Sequence, residues 1–218
     1  MIYLNIVIIG ICGKMGSLIY EYLKNSYNII GIDKIKHKEV PTYKDLDEID
    51  NLNLVIDFSS TSCYELLVKA IKRKIPVFSG TTGYDRKTIE SLKDLAIAND
   101  SIFVWKPNYA KGINLFSRIL EECKEEFKIL DFVEIHETTK KDAPSGTAKM
   151  LAEILGINEN KIQSVRLNFA PATHELIFYS DSERITLKHE IYDKLAFVVG
   201  LIEEIKKYGV DDDVGNII

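Results

Sequence analysis

The chain has 218 residues, 46% of them apolar and 28% charged, which suits a soluble globular protein with one large core or two small ones. Its formal net charge of -5 excludes a general nucleic-acid binder, because neutralising phosphates needs clustered positive charge. No apolar run approaches the roughly 20 residues of a membrane span, which excludes a spanning helix.

The opening stretch MIYLNIVIIGICG has no basic leading region and runs straight into glycines, so it reads as a buried strand and not as a signal peptide. Ile6 to Ile9 is the strand, Gly10, Gly13 and Gly16 follow a G-x-x-G-x-x-G spacing, and Met15 to Lys24 has helical periodicity. Strand, glycine turn and helix form the order a dinucleotide site requires: glycine allows the tight turn, and the first helical turn offers unpaired N–H groups to a pyrophosphate. The same glycines also fit a bare strand-to-helix turn. A second strand, Ile29 to Ile32, ends in Asp33, 17 positions after Gly16, about where this fold places an acid on the ribose hydroxyls. Lys34 follows at once. A carboxylate favours the free 2′-hydroxyl of NADH and a cation favours the 2′-phosphate of NADPH, so the pair leaves both cofactors open.

Leu54 to Phe58, Val77 to Ser79 and Ile102 to Trp105 are further strand-like runs, with helical patterns at Tyr64 to Lys72 and Thr88 to Ala98. The basic run Lys72-Arg73-Lys74 reads as a solvated helix end. Continuous apolar strands between amphipathic helices predict an α/β fold, a doubly wound parallel sheet covered on both faces. The loops DFSSTS and SGTTGY lie at carboxyl ends of strands, where ligands bind in such sheets.

After Asn108 the rhythm changes. Helical patterns at Asn114 to Phe127 and Ala148 to Leu155 interleave with strand-like runs at Ile129 to Ile135, Val165 to Phe169, Leu176 to Tyr179 and Arg184 to Lys188. This order predicts a second, inserted α+β domain with a mostly antiparallel sheet. The expected division is residues 1–107, completed by a C-terminal helix within 194–218, and 108–193. Cys12, Cys63 and Cys123 are scattered and odd in number, which suggests neither a disulfide framework nor zinc, and a cytoplasmic protein without metal is expected.

The segment HETTKKDAPSGT sets His136, Lys140 and Lys141 beside a turn that opens a helix. Ser145 or Asp142 can cap that helix and Gly156 can stop it. The N–H groups of Gly146 and Thr147 then face outward beside a lysine, which makes an anion site that takes a carboxylate as readily as a phosphate. A capped surface helix with neighbouring lysines accounts for the same residues. His136 ends an apolar strand, and an imidazole there suits proton transfer at neutral pH.

Taken together, these segments resemble the dihydrodipicolinate reductase family. GICGKMG is similar to its glycine loop, VIDFSS and GTTG to its internal cofactor loops, and EIHETTKKDAPSGTA to its signature Glu-x-His-His-x-x-Lys-x-Asp-Ala-Pro-Ser-Gly-Thr-Ala. The resemblance implies reduction of 4-hydroxy-tetrahydrodipicolinate by NADH or NADPH. It implies His136 and Lys140 as catalytic residues, and Glu137, Lys140, Ser145, Gly146 and Thr147 at the dicarboxylate. It assigns Gly10, Ile11, Cys12, Gly13, Lys14, Met15, Asp33, Lys34, Gly80, Thr81, Thr82, Lys106, Pro107, Asn108 and Tyr109 to the cofactor, and a homotetramer to the assembly. Glu137 departs from the family's second histidine, so an acid beside a dicarboxylate repels it unless turned away or paired. A catalytically impaired nucleotide sensor is the alternative this departure suggests. A semialdehyde dehydrogenase needs a nucleophilic cysteine with a matching signature, and neither Cys63 nor Cys123 has one.

Overall fold

The computed structural model describes residues 4–127 and 129–210. Contacts divide the chain into two compact units, one comprising the residues up to Lys106 with those from Gly200 on, the other Pro107–Val199.

The first unit is built from β1 (Asn5–Ile9), α1 (Lys14–Leu23), β2 (Asn28–Ile32), β3 (Thr42–Tyr43), β4 (Leu54–Asp57), α2 (Tyr64–Lys72), β5 (Val77–Ser79), α3 (Arg86–Ala98) and β6 (Phe103–Trp105). The strands form one sheet in the order β3-β2-β1-β4-β5-β6, parallel throughout. Such a sheet buries both faces, and Val7, Ile8, Ile9, Val55, Ile56, Val77 and Phe78 are all at most 1% exposed. Each such side chain contributes about 1.5–3 kcal/mol relative to exposure. The strand runs read from the sequence reappear here, whereas β3 is too short to carry a periodic signal. Helix α3 begins two residues before Thr88, because the Asp85 side chain accepts the Thr88 N–H as its N-cap. Lys72, Arg73 and Lys74 are exposed at the end of α2, and the Arg73 guanidinium also donates to the carbonyls of Leu46 and Ile49 at 2.7 and 2.8 Å, tying the β3–β4 connection to α2.

The second unit carries α4 (Lys111–Glu126), β7 (Ile129–Glu137), α5 (Gly146–Leu155), β8 (Ile162–Leu167), β9 (Ala172–Tyr179) and β10 (Arg184–Ile191). Its sheet order is β10-β9-β7-β8. The pairs β7–β9 and β9–β10 are antiparallel, while β7–β8 is parallel with α5 as the crossover. Ile113, Phe116 and Leu120 of α4 and Leu151 and Ala152 of α5 form one core with Phe132, Leu176 and Phe178 of the sheet. Strand β8 starts at Ile162 and stops at Leu167, ahead of Phe169, which is 94% exposed. Helix α6 (Leu195–Lys207) leads the chain back into the first unit, where Leu201, Ile202 and Ile205 are buried. The part of the expected C-terminal helix beyond Val210 lies outside the described residues.

Candidate active site

In the first unit the glycine loop joins β1 to α1. Gly10 has φ +83°, and a Cβ on Gly16 would lie 2.1 Å from the Gly10 carbonyl oxygen, so both positions require glycine. Gly13 is the N-cap of α1 and makes no side-chain cap hydrogen bond, as at a helix start that presents its amides to an anion. The loop borders a cleft of about 620 Å³ lined by Gly10, Cys12, Gly13, Asp33, Lys34 and Phe58, among others. The Asp33 carboxylate accepts from the Cys12 N–H at 2.9 Å and from the Ile35 N–H at 3.1 Å, which fixes its orientation at the end of β2. Lys34 is exposed, and the Lys44 ammonium donates to the carbonyls of both Asp33 and Lys34. Ile11 is fully buried. Cys12 is half-buried, and burial, then the Asp33 carboxylate, raise its thiol above the usual range. Lys14 is exposed and Met15 half-buried at the start of α1.

The two internal loops are knit together from below. Asp57 is fully buried and accepts from Ser79 Oγ at 2.7 Å and from Ser59 Oγ, and the Ser59 N–H donates to Thr81 Oγ1 at 2.8 Å. The Phe58 ring lies over Gly80, where a Cβ would come within 2.2 Å of it. Thr81 is buried and its carbonyl accepts the Trp105 Nε1–H, whereas Thr82 is exposed. Lys106 is ion-paired with Glu204 of α6 at 2.9 Å. Strand ends, open helix amides and an oriented carboxylate together fit a dinucleotide.

Pro107, Asn108 and Tyr109 belong to the second unit. Asn108 is buried, donates to Thr147 Oγ1 at 3.0 Å and accepts the Ala110 N–H at 2.9 Å. Tyr109 is 1% exposed. The side chain of Asn108 is thus engaged at the start of α5.

Strand β7 alternates, with Phe132, Glu134 and His136 on the covered face. Glu137, one step further, is exposed, so it stands on the face opposite His136. The Lys140 N–H donates to the Glu137 carbonyl at 3.0 Å. Lys140 Nζ reaches the Asp142 carboxylate at 2.9 Å, while Lys141 is exposed. Burial acts to raise the Asp142 carboxyl, but the Lys140 ammonium and the Gly146 N–H outweigh it and hold it below the usual range. The lysine beside this helix start is thus paired with the chain's own carboxylate. Ser145 is the N-cap of α5, accepting the Ala148 N–H, and Gly156 stops the helix at φ +66°.

Beneath the loop lies a buried polar group that brings His136 together with Glu134, Arg166 and His174. Glu134 accepts the Ser145 N–H at 3.1 Å and pairs with Arg166 at 3.0 Å. Burial acts to raise the Glu134 carboxyl, and hydrogen bonds from Ser145 and Arg166 help bring it below the usual range. His136 Nδ1 lies 3.4 Å from Glu134, and its ring meets that of His174 edge-on at 5.4 Å. Burial lowers the His136 pKa against the opposing pull of Glu134. Burial, then His136, push His174 down to about 3. Both rings are therefore neutral at physiological pH. Glu134, His136 and His174 also have metal-ligating atoms within 4.8 Å of one another, yet the Glu134 charge is already matched by Arg166. A glutamate at an inward strand position was the available signal for this group.

A parallel sheet with a glycine loop, joined in one chain to a mixed-sheet unit that gathers a lysine, a carboxylate and a helix N-terminus, defines a dinucleotide-dependent reductase architecture. The sequence profiles described as "Dihydrodipicolinate reductase, N-terminus" and "Dihydrodipicolinate reductase, C-terminus" match residues 4–109 and 112–216. The chain belongs to the dihydrodipicolinate reductase family. It is 36% identical to a 4-hydroxy-tetrahydrodipicolinate reductase of Rickettsia bellii, over 91% of this chain and 86% of the relative. It is 29% identical to one of Carboxydothermus hydrogenoformans, over 93% of each chain. In fold it is similar to a dipicolinate-bound dihydrodipicolinate reductase from Paenisporosarcina sp. TG-14, with a TM-score of 0.78, 22% identity and 94% of each chain covered.

Proposed function

We propose that this chain reduces 4-hydroxy-tetrahydrodipicolinate to tetrahydrodipicolinate, with NADH or NADPH, as a step of lysine and diaminopimelate synthesis. The observation that carries this reading is the Lys140 ammonium beside the start of α5, where it holds the chain's own Asp142 carboxylate at 2.9 Å. A site that draws in one carboxylate of the chain is built to take one from a substrate. In the reaction the 4-hydroxyl leaves as water, C4 gains a hydride, and one proton balances the reduction. The hydride is what a bound reduced nicotinamide supplies. Lys140 delivers the proton, and neutral His136 beneath it adds no positive charge of its own beside that ammonium. Gly146 and Thr147 hold a substrate carboxylate by their amides once Asp142 turns aside, with Ser145 fixing the turn. Glu137, on the opposite face of β7, stays clear of the dicarboxylate.

On the cofactor side, Gly10 to Met15, Gly80 to Thr82 and Lys106 contact the dinucleotide, Asp33 orients the ribose, and Lys34 allows a 2′-phosphate. Asn108, flanked by Pro107 and Tyr109, reaches the cofactor by backbone, since its side chain is spent on Thr147. The protein works in the cytoplasm as a homotetramer joined through the open face of the β10-β9-β7-β8 sheet, where Val165 and Leu167 are exposed.

The test is an assay of NADH and NADPH oxidation with freshly generated 4-hydroxy-tetrahydrodipicolinate. Substrate-dependent oxidation is expected. Tight dinucleotide binding with no turnover under either cofactor would reject the reading in favour of a sensor.

A further inference from the structure

The loop that carries Lys140 is held from one side by a single arginine. Arg166 Nε donates to the Lys140 carbonyl at 3.3 Å and Nη2 to the Asp142 carbonyl, while Nη1 donates to the Val165 carbonyl at 2.9 Å. Nη2 also meets Glu134 Oε1 at 3.0 Å, and Glu134, fully buried, takes the Ser145 N–H on both oxygens at 3.1 Å. One ion pair thus grips the backbone at three points, residues 140, 142 and 145, and the Lys140 side chain leaves between them. The register of the parallel β7–β8 pair, His136 opposite Arg166, brings the guanidinium there.

Stability alone is a poor account of this pair. Buried ion pairs seldom stabilise a fold more than apolar side chains of like volume. What the guanidinium adds is shape: a rigid planar fork of donors reaches several acceptors at fixed angles, which an ammonium cannot do.

We propose that Arg166, acting through Glu134, is the positioning residue of the proton-donor loop, setting Lys140 and the start of α5 at the separation the dicarboxylate requires. This rests on the reading of Lys140 as the proton donor. Arg166 touches neither substrate nor cofactor and acts only through the loop.

The test compares wild type with Arg166→Lys and Arg166→Ala in the full chain, measuring kcat and KM for the dicarboxylate and, separately, the Kd of NADPH. Arg166→Lys is expected to lose about 100-fold in kcat/KM, the usual consequence of misplacing a catalytic group by an ångström or so, with NADPH affinity held within about twofold. Added guanidinium ion is expected to restore activity to Arg166→Ala but not to Lys140→Ala. Because removing one partner leaves a buried charge, the double variant Glu134→Leu with Arg166→Met serves as the folded control. It should melt near wild type and still show the loss. Unchanged kcat/KM in Arg166→Lys, full activity in the double variant, no rescue by guanidinium, or a parallel fall in NADPH affinity would each overturn the assignment. A wild-type protein without turnover would instead sink the proposed reaction and leave no donor loop to position.

Discussion

Lys140 is the residue on which the proposed chemistry turns. Replacing it with alanine removes the ammonium but leaves the glycine loop of the other unit untouched. Turnover should fall about 10²–10⁴-fold, the range for loss of a general acid, with NADPH affinity within about twofold of wild type. Stopped-flow turnover and fluorescence titration separate the two. Asp142 competes for the same ammonium, so Asp142→Asn should tighten binding of a dicarboxylate inhibitor in calorimetry, provided the loop keeps its Arg166 contacts. His174 offers a prediction in pH. Its ring is neutral when buried, with a pKa near 3, while the unfolded chain takes up a proton in the ordinary range near 6.5. The unfolded state therefore binds more protons below that value, and stability is lost as pH falls from about 6.5 towards about 3. Glu134, also held below its usual range, acts in the same direction at the acid end. Urea midpoints measured from neutral to acid pH should decline, and His174→Gln should flatten the decline.

At the scale of elements, what could be read from the sequence was what is local in it. Strand, glycine turn and helix succeed one another within Asn5 to Leu23, and Ser145 precedes its helix directly, so spacing alone located them. The Glu134–Arg166 pair spans 32 residues and depends on which strands pair, which periodicity does not encode. Asp142 was one of two possible caps of α5, and Ser145 takes that place; spacing does not say that the Asp142 carboxylate turns to Lys140 instead. Two variants test the helix starts. Gly16→Ala drives a methyl into the Gly10 carbonyl and should abolish NADPH binding in fluorescence titration along with a clear loss of stability. Ser145→Ala removes the N-cap acceptor of α5 and should cost about 1 kcal/mol in urea denaturation, the ordinary worth of a cap.

For the whole molecule, the proposed tetramer draws on the open face of the second sheet. Leu167 is 46% exposed and Val165 37%, on the outward side of β8. Sedimentation should show a tetramer, and Leu167→Glu should shift it to smaller species without unfolding the sheet. The first unit is discontinuous in the chain: its sheet is finished by residue 105, but Leu201, Ile202 and Ile205 arrive almost a hundred residues later. Phe78 meets Tyr208 edge-on at 5.8 Å, and Lys106 waits for Glu204. On the ribosome, then, the later-encoded unit has all its parts in the open before the earlier one does. A nascent chain passes through about a hundred residues of synthesis with a nucleotide fold one helix short, and the ability to retain a dinucleotide should emerge only once α6 has been made.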